Sequence, residues 1–228
     1  FNSGFALTDL DAIVDRIASP RRFIVIDGYH GFLARPTDLS RIADRAFYMA
    51  GGYKYAMSGE GACFLHAPPG YGPRPRNTGW YAGFGALSEV QKGVPYAENG
   101  WRFMGATFDP SALYRMRAVF RWLESEGVDA AALHGHAVAL QNRFLDALSA
   151  GPIGPFALSD LILPRDDPAH GNFLTFQNEE AGEFYRRLHE IGIVSDVRGD
   201  RLRVGFGAYH TAADIDRLIE RLATRWAS

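Results

Sequence analysis

A short apolar run, FIVI at 23–26, is the sequence feature that most constrains the fold. Continuous runs of this length, rich in β-branched residues, are typical of strands buried on both faces of a parallel sheet. Apolar residues recur at helical spacing over 9–19, which predicts a helix with Thr8 as its N-cap. The segments that follow predict a short helix at 37–45 and strands at 46–50 and 62–68. Strand, helix and strand in this order predict an α/β layer.

The second half of the chain has a different pattern. Two long amphipathic helices are expected at 110–127, with Gly127 as a C-cap, and at 129–151. The remaining segments predict a strand at 173–177, a helix at 179–192, a strand pair over 193–206 joined by RGDR, and a helix at 211–226. The fold class is therefore expected to be α/β. Part of a mainly parallel-sheet large domain, residues 1–127, should be followed by a smaller α+β domain, residues 128–228.

Composition narrows the class of protein. A net charge of −2 and a pI near 6.4 argue against nucleic-acid or polybasic membrane partners. Cys63 is the sole cysteine, so neither a disulfide framework nor a CxxC metal pair is expected. His134 and His136 are two apart on a predicted helix and face different sides, so no metal site is predicted. These features, with no apolar run of membrane-spanning length, predict a cytoplasmic protein.

Lys54 is the residue that points most directly to chemistry. The chain has 24 lysines and arginines, of which only Lys54 and Lys92 are lysines. Lys54 follows the strand predicted at 46–50, while Asp27 directly follows FIVI and His30 lies in the same loop. Strand ends of an α/β sheet collect functional groups at one rim. A lysine amine forms a Schiff base, which a guanidinium cannot, and pyridoxal phosphate needs an acidic partner for its ring nitrogen.

Five motifs in order resemble a known family. VIDGYHG, GGYKY, NTGWYAG, RFMGAT and RVGFGAYHTAADID are similar to segments of the fold-type I pyridoxal-phosphate enzymes of the class V aminotransferase group, and most similar to its kynureninase-like members. The resemblance extends over nearly the whole chain.

The resemblance implies pyridoxal 5'-phosphate as cofactor, a small amino acid as substrate, and a homodimer with sites at the subunit interface. Asp27 would keep the ring nitrogen protonated, and Lys54 would form the internal aldimine and then move the α-proton. The other implied contacts are His30 near the ring, Tyr53, Trp80 and Thr107 at the phosphate, and Arg203 at the substrate carboxylate. Transamination and kynureninase-like Cβ–Cγ cleavage both stay open as the reaction.

The chain also departs from the family pattern. Gly51 and Gly52 stand where the family often has Ser or Cys, which removes one expected phosphate ligand. The asparagine and histidine that accompany the kynureninase motifs are replaced, which argues against kynurenine as substrate. Cys63 lies within a predicted strand, which argues against desulfurase chemistry. Because the family's lysine follows more than a hundred residues, this chain is expected to be a carboxyl-terminal piece of a longer enzyme.

Simpler interpretations remain beside this one. Asp27 could cap the turn after its strand, a common use of aspartate. A non-catalytic domain that keeps the scaffold for assembly or regulation is the alternative function. A Rossmann-type oxidoreductase is disfavoured because GFGAL and GFGAY lack the third glycine of a dinucleotide loop.

Overall fold

The protein is described by a computed structural model that covers all residues except 1, 20, 71, 90–92, 94, 227 and 228. Its chain divides into two compact units. The amino-terminal unit comprises Asp9–Phe32 and Thr37–Glu126. The carboxyl-terminal unit comprises Phe1–Thr8, Leu33–Pro36 and Gly127–Ser228. Among the described residues, no helix combines the length and apolar composition that crossing a bilayer requires.

The amino-terminal unit contains a three-stranded sheet with the order β1-β2-β3. Its elements are α1 (Leu10–Ile17), β1 (Val25–Asp27), β2 (Phe47–Gly51), β3 (Cys63–His66) and α2 (Ser111–Ser125). Two 3-10 helices, Trp80–Ala86 and Gly100–Phe103, lie between β3 and α2. β1 runs parallel to β2, and β3 runs antiparallel to β2. The predicted α/β class is confirmed, with one parallel and one antiparallel strand pair in this sheet.

Two local predictions in this unit are wrong. The N-cap of α1 is Asp9 and not Thr8, because the Asp9 carboxylate accepts a hydrogen bond from the Ala12 backbone N–H at 2.8 Å. Residues 37–45 do not form a helix, because residues 40–45 form successive turns and residues 37–39 have no regular structure. Short helices depend on packing, and this segment places Ile42, at 1% exposure, in a small cluster with Val14.

Strand β1 is also less buried than FIVI suggested. Val25 is 43% exposed, and its strand pairs with β2 along one edge. Pleating places Val25, Met49 and Leu65 on the same face of the sheet, and all three are exposed. The prediction of burial on both faces is therefore wrong: β1 is half-buried.

The carboxyl-terminal unit is α+β, as expected. Its elements are α3 (Ala130–Leu148), a 3-10 turn (Leu158–Asp160), β4 (Phe173–Gln177), α4 (Ala181–Glu190), β5 (Asp196–Arg198), β6 (Arg201–Gly205) and α5 (Ala212–Arg225). The sheet order is β4-β6-β5, and both pairs are antiparallel. One face of this sheet, including Leu174, Phe176 and Leu202, packs against helix residues such as Phe144 and Leu188 in the main core. The opposite face therefore points away from the core.

Two sets of hydrogen bonds stabilise this unit. Thr211 and Asp214 form a capping box at the start of α5, which satisfies backbone N–H groups that the helix itself cannot. Arg35 donates from Nη1 to the His170 carbonyl at 2.5 Å and from Nη2 to the Pro168 carbonyl at 3.0 Å. Burial lowers the pKa of Arg35. Residues 33–36 thus belong to this unit although they lie between β1 and β2 in sequence.

Candidate functional site

Lys54 lies in a tight loop that begins where β2 ends. The loop is closed by a hydrogen bond from the Ser58 backbone N–H to the Gly52 carbonyl at 2.7 Å. A second bond joins the Met57 N–H to the Lys54 carbonyl at 3.1 Å. The Lys54 amine stands 5.3 Å from the centre of the Tyr53 ring. The backbone around the lysine is therefore held by its own hydrogen bonds.

The two glycines before Tyr53 are required by close packing. A Cβ at Gly51 would lie 2.7 Å from Cε1 of Tyr29 and 3.2 Å from Sγ of Cys63. A Cβ at Gly52 would lie 2.8 Å from Cβ of Ser58. Both distances to carbon are well inside van der Waals contact. This explains why glycine stands where the resemblance led us to expect Ser or Cys.

Helix α2 is hydrogen-bonded to the Lys54 loop and to the residues that follow it. Arg115 donates from Nε to the Ser58 carbonyl at 2.5 Å and from Nη2 to the Glu60 carbonyl at 2.6 Å. Ser58 itself is fully buried. No sequence pattern pointed to Arg115, because its partner Ser58 lies 57 residues away and no local pattern marks such a contact.

The loop after β1 packs against the Lys54 loop. The Gly28 N–H donates to the Met49 carbonyl at 2.8 Å, which continues the parallel pairing of β1 with β2. The Tyr29 ring lies 5.6 Å from the Tyr53 ring, and the His30 ring lies 6.3 Å from the Tyr55 ring. The loop that follows Asp27 and carries His30 thus neighbours the loop that carries Tyr53 and Lys54, so four of the predicted site residues lie near one another.

Asp27 occupies the exposed end of β1. Its Oδ1 accepts a hydrogen bond from the Tyr29 backbone N–H at 3.0 Å. This is the turn-capping contact that the simpler interpretation of Asp27 expected. The capping bond uses one carboxylate oxygen, and a carboxylate has further lone pairs, so capping and ligand contact are compatible.

Tyr29 was missed in the sequence, although it lies between Asp27 and His30. A hydrogen bond with Cys63 is the main cause that raises the pKa of Tyr29 to about 12, with burial second. Burial, followed by the charge of Asp27, raises the pKa of Tyr48. Both phenols therefore stay protonated at neutral pH and can donate hydrogen bonds.

Trp80 and Thr107 lie on two segments that pair with each other. The Tyr81 N–H donates to the Gly105 carbonyl at 3.1 Å, and the Gly79 N–H donates to the Met104 carbonyl at 3.3 Å. Trp80 is 49% exposed and packs on the Tyr81 ring at 4.8 Å between centroids. Thr107 is exposed. Backbone hydrogen bonds thus hold side by side the two segments that carry these predicted phosphate contacts.

Arg203 belongs to the carboxyl-terminal unit, on β6. Its side chain is 11% exposed and forms an ion pair with Asp196 of β5. The guanidinium carbon stands 5.3 Å from the centre of the Phe173 ring. The arginine expected to bind a carboxylate is therefore paired with a carboxylate of the protein itself.

Comparison with known proteins agrees with this fold. Residues 133–222 match the family model for the kynureninase C-terminal domain. A curated relative from Vibrio cholerae, described as a probable cysteine desulfurase, is 25% identical over 225 residues. That match covers 92% of this chain and 52% of the relative. The chain thus spans about half the length of the curated relative that it matches.

Several solved structures have a similar fold over almost the whole length of this chain. Apo cysteine desulfurase from Thermococcus onnurineus has a TM-score of 0.71 and 15% identity, over 90% of this chain and 52% of that protein. A NifS-like protein from Rickettsia africae has a TM-score of 0.69 and 14% identity, over 100% of this chain and 59% of that protein. A lysine-to-alanine variant of C-DES, with glycine covalently linked to its PLP cofactor, has a TM-score of 0.61 and 15% identity. That match covers 97% of this chain and 65% of that protein.

These matches establish the fold. It is shared with the solved cysteine desulfurase and NifS-like structures, and it is the fold that the resemblance to class V pyridoxal-phosphate enzymes implied. Residues 133–222 are similar to the carboxyl-terminal domain of kynureninase.

Proposed function

We propose that this protein is a pyridoxal-phosphate-dependent enzyme that acts on a small amino acid, with the cofactor attached to Lys54. The observation that supports this most strongly is the hydrogen-bonded loop that holds Lys54 beside the loop of Asp27. A primary amine on a loop that neighbours a strand-end carboxylate is the donor set that an aldehyde cofactor with a basic ring nitrogen requires. The PLP cofactor of the similar C-DES structure supports the same choice.

The residues of this chain fit the cofactor. When bound, pyridoxal phosphate withdraws electrons from the α-carbon of an amino acid. The Asp27 carboxylate would hold a proton on the ring nitrogen, and the Lys54 amine would move the α-proton. His30 would contact the ring. Hydrogen bonds to the phosphate would come from Tyr53, Trp80 and Thr107.

The substrate carboxylate would bind Arg203. An arginine guanidinium can donate two parallel hydrogen bonds to a carboxylate, which fixes both its position and its orientation. Arg203 is mostly buried beside Phe173, and a guanidinium in such surroundings is more strongly attracted to an anion than one in water. An α-amino acid supplies that anion.

Transamination and kynureninase-like cleavage are the candidate reactions, and the names of the similar proteins add cysteine desulfuration. Cys63 begins β3 and pairs in register with Gly51. A sulfur acceptor would have to reach the substrate, and a strand residue paired in a sheet has little freedom to do so. We therefore infer that Cys63 is not a mobile sulfur acceptor. Product analysis with alanine, kynurenine and cysteine as substrates separates the three reactions.

Borohydride reduction of the protein mixed with pyridoxal phosphate tests the assignment. The expected result is a visible absorption band before reduction and a pyridoxyl label on the Lys54 peptide after it. Lys54→Arg should abolish both, whereas Lys92→Arg, at a position outside the described residues, should leave both unchanged. A label confined to Lys92 would reject Lys54. No absorption band at all would favour the non-catalytic alternative.

The homodimer implied by the resemblance stays a prediction. Sedimentation equilibrium on the same preparation measures it, with and without pyridoxal phosphate. A mass of one chain at all concentrations would contradict it.

A further inference from the structure

Three side chains lie close to the point that a side chain at position 51 would occupy. A Cβ at Gly51 would lie 2.7 Å from Cε1 of Tyr29. It would also lie 3.2 Å from Sγ of Cys63 and 3.2 Å from Cδ1 of Tyr53. Cε1 is bonded to the ring carbon that carries the hydroxyl, so the Tyr29 hydroxyl is near the same point. Tyr29 therefore fills the space that glycine leaves at the end of β2.

The Tyr29 hydroxyl has a weak partner. It is hydrogen-bonded to Cys63, and this bond is the largest of the causes that raise the pKa of Tyr29 to about 12. Sulfur is a weak hydrogen-bond acceptor, whereas a hydrogen bond to an anionic oxygen is roughly twice as strong as a neutral one. The hydroxyl stays protonated at neutral pH, and an anion would therefore be a better acceptor for it than the Cys63 thiol.

These side chains are open to a ligand. Cys63 is exposed, Tyr53 is 40% exposed, and Tyr29 is half-buried. The Tyr29 and Tyr53 rings lie 5.6 Å apart, so the two phenols border one region. The partner of the Tyr29 hydroxyl thus lies at the surface, where a dissolved anion can compete with it.

The loop that carries Tyr29 is held in place by backbone hydrogen bonds. The Tyr29 N–H donates to Oδ1 of Asp27 at 3.0 Å, and the Phe32 N–H donates to the Gly28 carbonyl at 2.8 Å. The Gly28 N–H joins this loop to β2 through the Met49 carbonyl. A donor on a fixed backbone loses little freedom when it binds a ligand, so the Tyr29 hydroxyl is presented at a small entropic cost.

We propose that the Tyr29 hydroxyl leaves Cys63 and donates a hydrogen bond to the phosphate group of the cofactor, next to Tyr53. Phosphate oxygens accept such bonds strongly because they are charged. Glycine at position 51 offers the phosphate no side-chain donor, and Tyr29 supplies one from the neighbouring loop. The Cys63 thiol satisfies the hydroxyl while no phosphate is bound. The proposal rests on the function proposed above, which places Tyr53 at the cofactor phosphate.

Tyr29→Phe tests this contact, because it keeps the ring against Gly51 and removes only the hydroxyl. Tyr114→Phe is the matched control, since it makes the same change on helix α2, where Tyr114 is 67% exposed. The ligands are pyridoxal 5'-phosphate and pyridoxal, which has the same aldehyde and ring but no phosphate. Visible absorption gives the dissociation constant of each ligand for each variant.

Tyr29→Phe should bind pyridoxal phosphate roughly tenfold more weakly, as expected for a lost hydrogen bond to a charged group, and pyridoxal within about twofold of the wild type. Tyr114→Phe should match the wild type for both ligands. An equal loss of affinity for both ligands in Tyr29→Phe would indicate a purely structural role and overturn the proposal, as would unchanged affinity for pyridoxal phosphate. Cys63→Ala should prefer pyridoxal phosphate over pyridoxal at least as strongly as the wild type does, because the hydroxyl has lost its competing acceptor. A smaller preference would assign the contact to the thiol and reject Tyr29.

A titration with inorganic phosphate separates this proposal from the proposed enzyme, because it needs no aldehyde. The signal is the Cζ resonance of isotope-labelled Tyr29, assigned from its loss in Tyr29→Phe, and chloride at equal ionic strength is the control. Phosphate, but not chloride, should shift this resonance. A shift in a protein that takes no label at Lys54 would reject the enzyme and keep the phosphate contact. A label at Lys54, together with equal affinity of Tyr29→Phe and the wild type for pyridoxal phosphate, would keep the enzyme and reject the role of Tyr29. A protein that binds neither aldehyde and shows no phosphate shift would overturn both.

Discussion

Gly51→Ala tests whether close packing at the end of β2 holds the two site loops together. The added methyl group would lie 2.7 Å from Cε1 of Tyr29 and 3.2 Å from Cδ1 of Tyr53. Carbon atoms prefer about 3.5–4.0 Å, so the Tyr29 ring has to move by about 1 Å. Overpacking of this kind costs about 1–3 kcal/mol. Because Gly→Ala also reduces the freedom of the unfolded chain, worth about 0.4–1 kcal/mol, we expect a net loss of about 1–2 kcal/mol.

Urea unfolding measures this loss, and Gly85→Ala is the matched control. A Cβ at Gly85 meets no atom within 4 Å, so that substitution should change the free energy of unfolding by less than about 0.5 kcal/mol. Combining Gly51→Ala with Tyr29→Ala should cost less than the sum of the two single changes, since the clash is removed. Equal losses at Gly51 and Gly85, or strict additivity in the double variant, would refute the packing argument.

Two further predictions concern charge. Asp27→Asn should leave pyridoxal phosphate bound but strongly reduce turnover, because a neutral amide cannot keep the ring nitrogen protonated. Visible absorbance measures cofactor binding, and steady-state kinetics measure turnover. Unchanged turnover would reject the role of Asp27 at the ring nitrogen. Thr211→Ala should cost about 1 kcal/mol of stability at neutral pH through loss of the helix cap, as measured by urea unfolding. Hydrogen bonds from Thr211 lower the pKa of Asp214. The stabilisation of the fold by ionised Asp214 is therefore fully present above the ordinary aspartate pKa, and it is lost as the pH falls through the lowered pKa. The difference between Thr211→Ala and the wild type should therefore narrow in acid, and a difference that stays constant down to about pH 2 would contradict the assignment.

The carboxyl-terminal unit was the easier half to predict from sequence. Its long periodic helices and its hairpin are local features, and the hairpin turn has Gly199 at a φ of +61°, where glycine is favoured. The errors fell on short segments of the amino-terminal unit. Periodicity placed α1 correctly but did not distinguish Thr8 from Asp9 as its cap. The apolar run at 23–26 specified a strand but not the exposure of Val25, which depends on what lies against the sheet.

The candidate site was predictable where strand ends define it. Asp27 and Lys54 each follow a predicted strand, so their loops were expected to be neighbours, and the loops do lie side by side. Contacts between distant segments had no such signal. Arg115 reaches the Lys54 loop from α2. That contact depends on tertiary structure, which periodicity does not encode.

The assignment of residues 33–36 to the carboxyl-terminal unit has a consequence for synthesis on the ribosome. The partner of Arg35 in that unit, the His170 carbonyl, lies 135 residues later in the chain. At about 5–20 residues per second, translation needs roughly 7–27 s to supply it. During that time β1 and β2 can already pair, while the segment between them waits in water for its partners. Folding of the carboxyl-terminal unit should therefore finish late, and a chaperone that recognises unfolded segments would have several seconds in which to bind residues 33–36.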